Sequence, residues 1–238
     1  MALPESPLSG YLSGNRRLYA QMRPDAGSLE LILALQQALA ALTQVNDGGR
    51  PRWIPERQVH LTLIHFGKVR DVYAAVSAAG NISWDEYEER LADYVAATEA
   101  AMPREPILLE PAVLSRFGRH GRTLVLEYFP SSALLRAHER AYAALEVFLN
   151  SCGIPDVGAF TAADPNFMFA SALRPHITLA RGFAGTLPAP VHGGSPCGGS
   201  RHGVHYGSAP EDGSIVPARV RLESMPVVYP EAGDAVVV

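Results

Sequence analysis

Apolar residues along the chain follow two periods, and their alternation lays out the elements. Arg17 to Arg23 (RLYAQMR) alternates apolar and polar positions, as expected for a first strand with one buried face. Leu31, Ile32, Leu35, Leu39 and Leu42 then recur at helical spacing, with Ser28 placed as N-cap and Asp47-Gly48-Gly49 as the breaker. Pro51 to Gln58 turns the chain into Val59 to Phe66 (VHLTLIHF), a β-rich run closed by Gly67. A second helix is expected from Trp84 to about Ala101. Ser83 and Glu86 stand at capping-box spacing, Tyr87, Leu91, Tyr94, Val95 and Thr98 form one face, and Pro103 ends it.

The remainder repeats this order less regularly. Ile107 to Leu114 and Thr123 to Phe129 read as a hairpin across the polar connection Ser115 to Arg122. A third helix runs from about Ala133 to Asn150 and is closed by Gly153 and Pro155. A loop containing Pro165 leads to Pro175 and a short strand, His176 to Arg181, and Pro217 to Met225 supplies a last strand. The expected fold is α+β: two pseudo-symmetric α/β halves, their antiparallel sheets facing a central cleft, within one two-lobed domain over residues 15–225. Residues 185–214, rich in Gly, Pro and His, read as a flexible loop insertion, and 226–238 as a loosely held tail.

Composition narrows the picture. The 238 residues are 47% hydrophobic, enough for one substantial core. No apolar run is long enough to span a membrane and residues 1–14 lack the pattern of a secretory signal, so a soluble, cytoplasmic monomer is expected. Cys152 and Cys197 read as free thiols. A formal charge of -4 argues against non-specific coating of nucleic acid, so a nucleotide partner must be gripped locally.

The chemistry lies in an internal echo. His60-Leu61-Thr62-Leu63 and His176-Ile177-Thr178-Leu179 both fall in runs read as strands. Side chains two apart on a strand share a face, so each tetrapeptide presents an imidazole beside a hydroxyl while its two aliphatic residues anchor the other face. In-line displacement at phosphorus needs a base for the attacking oxygen and an acid for the leaving oxygen. Imidazole, with an ordinary pKa of about 6.5, suits both tasks. The threonine hydroxyls can donate to non-bridging phosphate oxygens.

The segment from Trp53 to Leu63 (WIPERQVHLTL), closing on Gly67-Lys68-Val69, resembles the first signature of the two-histidine phosphoesterases, which include the bacterial 2′-5′ RNA ligase-like proteins. Pro175 to Arg181 (PHITLAR) is similar to the second. The resemblance implies that the histidines face a central cleft and act on 2′,3′-cyclic phosphates or 2′-5′ linkages of RNA without metal or cofactor. Water would open the cyclic ester to a 2′-phosphate, with His176 written as base and His60 as acid, although microscopic reversibility lets the two exchange. The resemblance also places Arg181, five residues after His176, as a phosphate-holding cation. The chain departs from the pattern at His65, where relatives of the ligase type commonly carry phenylalanine beside the base. Phe66, on the same strand face as His60 and Thr62 by alternation, is positioned to take over that stacking, with core packing as the alternative.

Two other classes compete. The same four residues could serve a 2′-5′-linked or cyclic oligonucleotide, with the loop from Gly185 as a lid. A nucleotide-binding module without turnover is the non-enzymatic alternative, and the intact His and Thr at both motifs argue against it. His192, Cys197, His202 and His205 match no structural zinc spacing. His120 and His138 read as solvated.

Overall fold

The structure, a computed structural model, describes residues 12, 14–42, 50–118, 120–167, 169–184, 187, 203–205 and 219–224. In chain order the strands and helices are β1 (Arg17–Pro24), α1 (Ala26–Leu42), β2 (Arg52–Trp53), β3 (Leu61–Lys68), α2 (Val69–Gly80), α3 (Trp84–Ala101), β4 (Ile107–Leu109), β5 (Pro111–Phe117), β6 (Thr123–Tyr128), α4 (Ser132–Ser151), α5 (Val157–Ala163), β7 (His176–Arg181), β8 (Gly203–His205) and β9 (Val220–Ser224). The strands form one antiparallel sheet in the order β4-β9-β1-β3-β7-β6-β5-β8, with β2 also paired to β7.

The expected α+β fold of two related halves is present, and the halves are the two ends of this sheet: β4-β9-β1-β3 and β7-β6-β5-β8. Their junction is a single residue pair, Leu61 with Ile177. Beyond it β7 takes β2 as its neighbour, through Arg52↔Arg181 and Trp53↔Ala180, and β3 and β7 part. Leu61 and Ile177 occupy the same place in their respective H-x-T-L motifs, so the pseudo-twofold relation between the halves passes through this pair. The aliphatic face of each motif is buried, with Leu61, Ile177 and Leu179 at 0% exposure.

Helices cover that face. Helix α1 packs on β1, β7 and β9, α4 packs on β3, and α3 lies against α4. Between α3, α4 and the sheet lie the stacked or edge-on rings of Phe66, Tyr94, Phe148 and Phe167, with Tyr87 against Phe148. Several sequence expectations shift here. Ser28 does not cap α1: its amide donates to the Asp25 carboxylate, and its hydroxyl, turned into the core, accepts from the Arg221 amide of β9. Helices α2 and α5 occupy stretches for which no element was expected. Ile107 to Leu114 is two strands, because at Glu110 the chain leaves the first half, where β4 pairs β9, for the second, where β5 pairs β6. Gly67 lies inside β3 and does not end it. Within the stretch read as a flexible insertion, Gly203–His205 forms a strand on β5; most of 185–214 and the tail 226–238 lie outside the described residues.

Candidate active site

The local chain path fixes both imidazoles in the same way. His60, immediately before β3, donates from Nδ1 to the carbonyl oxygen of Gln58 at 2.7 Å. His176, opening β7, donates from Nδ1 to the carbonyl of Arg174 at 2.7 Å. A carbonyl oxygen only accepts, so each Nδ1 carries the proton and each Nε2 is the nitrogen left to exchange one. Extending the antiparallel register one step either side of Leu61↔Ile177 sets His60 across from Thr178 and Thr62 across from His176. The four motif residues are half-buried and occupy the sheet face opposite the buried aliphatic residues.

Paired bulges decide what else reaches this face. Between Gln21↔Thr62 and Ala20↔Ile64 the strand β3 carries Leu63 as an extra residue, and between Val125↔Thr178 and Leu124↔Ala180 the strand β7 carries Leu179. These are equivalent positions, and each bulge reverses the side-chain alternation that follows it. Position five after each histidine therefore returns to the open face, where His65 and Arg181 stand as counterparts. Phe66 goes the other way. It is fully buried and stacks on Tyr94 with ring centroids 5.0 Å apart, so it shares no face with His60 and cannot stack a base. Of the two alternatives left open for Phe66, core packing is the one realised.

His65 is held at both nitrogens. Its Nδ1 donates to the carbonyl of Asn166 at 2.8 Å, and its Nε2 accepts from Arg17 at 3.1 Å, which fixes the neutral ring and anchors the guanidinium. Tyr19 lies between the histidines, its ring 5.9 Å from that of His60 and 5.3 Å from that of His65. Burial raises the pKa of its phenol, against the opposing pull of the Arg17 and Arg181 charges. Arg181 also acts on His60, so the structure gathers His60, His176, Arg181 and Tyr19 into one neighbourhood.

The two imidazoles differ in their neighbours. Burial pushes the pKa of His60 down to about 4, and the charges of Arg23, His176 and Arg181 add to this against the hydrogen bond to Gln58. Burial also lowers His176, but the Arg174 carbonyl and the carboxylate of Glu127 support its charged form against the Arg174 guanidinium. Arg23 and Glu127 are themselves counterparts: Glu127 pairs with His176 in the β6–β7 register, and Arg23 lies one step beyond Met22↔Leu61. Glu127 is well fixed, receiving Arg174 through two bonds of 2.7 and 2.9 Å. Burial favours its neutral form, yet Arg174 and Ser115 outweigh burial and keep its pKa below the usual value. Arg174 in turn lies 3.9 Å over the Phe117 ring, which packs 4.7 Å from the His176 ring.

Sequence reasoning missed Arg17, Tyr19, Arg23, Glu127 and Arg174. For the first three a signal was present, since they are alternate residues of RLYAQMR and so the polar face of the first strand. His138, expected in solvent, is buried and bonds the carbonyl of Ala170 at 2.8 Å, whereas His120 is exposed. Cys152 is a buried free thiol at the end of α4. Among the described residues no group of three or more His, Cys, Asp or Glu could hold a metal ion, and no helix is long and apolar enough to cross a membrane. His192, Cys197 and His202 lie outside the described residues, as does the side chain of His205.

No protein-family model and no curated protein matches the sequence. Among solved structures, the chain is similar to TT0787 of Thermus thermophilus, with 22% identity over 74% of this chain and 77% of that one and a TM-score of 0.45. It is also similar to E. coli LigT complexed with 3′-AMP, with 17% identity over 73% and 77% and a TM-score of 0.41. For LigT in its apo form the figures are 15% identity, 74% and 77%, and 0.43.

Proposed function

We propose that this chain is a two-histidine phosphodiesterase that opens 2′,3′-cyclic phosphates of RNA or nucleotides to 2′-phosphates. The reading is carried by one observation: two H-x-T-L motifs meet at Leu61↔Ile177 with both histidines in the same tautomer. An anion seated between them has an Nε2 from each half and hydroxyls from Thr62 and Thr178 within one face. The Arg181 guanidinium adds charge that a phosphate needs and the described carboxylates do not neutralise at that point.

The surroundings of the histidines favour a direction of proton flow opposite to the assignment drawn from the sequence. His60, with Arg23 beside it, is held neutral and serves as base; His176, with Glu127 beside it, is the better carrier of a proton and serves as acid. A water oxygen attacks phosphorus and gives its proton to Nε2 of His60. The P–O3′ bond breaks, O3′ takes the proton from Nε2 of His176, and the phosphate remains on O2′. The scheme calls for no metal or cofactor and is complete within one chain.

The test is hydrolysis of 2′,3′-cyclic mononucleotides with identification of the product. A 2′-phosphate is expected, and His60→Ala or His176→Ala should each lower kcat by roughly 10²–10⁴-fold while the fold persists. Near wild-type rates in either variant would remove the two-histidine mechanism, and a 3′-phosphate product would reverse the bond assigned to break.

A further inference from the structure

The second motif carries a flat cation beside its histidine. Arg174 precedes His176 by two residues, and its carbonyl accepts the Nδ1 proton of that histidine at 2.7 Å. Its guanidinium is fixed both within its plane and from one face. In the plane, Nε and a terminal nitrogen donate to the two carboxylate oxygens of Glu127 at 2.7 and 2.9 Å. Against one face lies the Phe117 ring, its centroid 3.9 Å from the guanidinium carbon. The Arg174 side chain nevertheless keeps 51% of its surface exposed, so the face turned away from Phe117 is open. A guanidinium held in this way is ordered before any ligand arrives and offers a flat surface at little further cost in entropy.

The direction of the reaction says what lies on that side. In the scheme above, water attacks phosphorus from the His60 side and O3′ departs toward Nε2 of His176, opposite to it. O3′ belongs to the ribose, so the ribose and its base lie on the His176 side. The Phe117 ring packs 4.7 Å from the His176 ring, which puts the Arg174 plane one aromatic ring away from the imidazole that meets O3′. The first half has other residues at these places. Gln58 supplies the carbonyl to His60, and Arg23 occupies the counterpart position of Glu127, where a cation cannot hold a guanidinium.

We propose that the open face of Arg174 is the platform on which the base of the substrate stacks, with Glu127 and Phe117 as the residues that hold it flat. The proposal rests on the phosphodiesterase reading above and follows its assignment of His60 as base and His176 as acid. Guanidinium planes stack on bases much as aromatic rings do. Every base has a π-face, so the platform selects a nucleotide over a cyclic phosphate that lacks a base, and not one base over another. Glu127 then serves twice, supporting the charged form of His176 and fixing the plane beside it.

The test compares adenosine 2′,3′-cyclic phosphate with the same cyclic ester carrying a methoxy group in place of adenine, as kcat/KM, and compares the affinities of the two corresponding 2′-phosphates by calorimetry. Arg174→Lys keeps a cation for Glu127 and removes the plane. It should lower the ratio of the adenine-bearing to the methoxy substrate by roughly tenfold or more, within the range of base-stacking losses. Phe117→Leu, which takes away the backing of the plane, should lower the same ratio by less. An unchanged ratio in Arg174→Lys, with both substrates losing equally, would overturn the platform and leave the hydrolase reading standing. Because calorimetry needs no turnover, an adenine-dependent affinity that falls in Arg174→Lys, without cleavage of either cyclic ester, would keep the platform and refute the hydrolase reading instead.

Discussion

His60 and His176 are the same side chain in the same hydrogen bond, and burial lowers the pKa of both, but the charge on the neighbouring strand differs. At counterpart positions of the sheet the first half carries Arg23 and the second carries Glu127. A cation disfavours imidazolium and a carboxylate favours it, so the pair biases which ring starts neutral. Glu127→Gln should lower the alkaline limb of the pH dependence of kcat/KM and reduce the rate at pH 7 by about tenfold, one pKa unit being a tenfold change in population. A variant with an unmoved limb and only a raised KM would show that Glu127 merely supports Arg174. The sequence reveals the histidines because they repeat in matching frames. It does not reveal Glu127, since nothing in TLVLEY shows which strand lies beside β7.

Phe66 shows what alternation along a strand can and cannot tell. Counting by twos from His60 puts Phe66 on the catalytic face, but the extra residue at Leu63 shifts the count by one and sends Phe66 into the core. The equivalent bulge at Leu179 has its own support: the Leu179 carbonyl accepts from the Ile54 amide at 2.9 Å and from Nε2 of the buried Gln36 at 2.9 Å, and Gln36 also reaches the Ile54 carbonyl at 3.0 Å. Gln36→Leu would leave the Ile54 carbonyl without its side-chain donor and remove one of two from Leu179, costing about 1–3 kcal/mol. Urea unfolding checks this, and an unchanged midpoint would mean that the bulge holds without the glutamine. Element boundaries were legible where side chains mark them, as at α3, where Ser83 and Glu86 form the expected capping box. Helix α2 was not, because it starts at Lys68 without a side-chain cap and directly continues a strand. Helix α5, short and bracketed by Pro155 and Pro165, has the composition of a loop, although Asp156 caps it.

For the whole molecule, the fold class follows from the order of elements, whereas the way the halves join does not. A contact of one residue pair between β3 and β7 leaves no trace in composition, yet it is where the two motifs meet. The same burial that tunes the site makes stability depend on pH. His60, His65, His138 and His176 all have pKa values lowered first by burial, so between about 6.5 and 4 the unfolded chain binds more protons than the folded one. Stability is then fully present above the ordinary histidine value and is lost as pH falls through this window. The Tm should drop from pH 7 to pH 4, and His60→Ala should drop less; an equal fall in the variant would assign the loss to other groups. The pH dependence of kcat/KM on a 2′,3′-cyclic mononucleotide tests the central claim, that two histidines exchange protons with the substrate, most directly. With a neutral His60 and a protonated His176 both required, the profile should be a bell, its acid limb near pH 4 and its alkaline limb below the ordinary 6.5. A rate constant from pH 5 to 9, with chemistry rate-limiting, would mean that the histidines bind phosphate without moving protons.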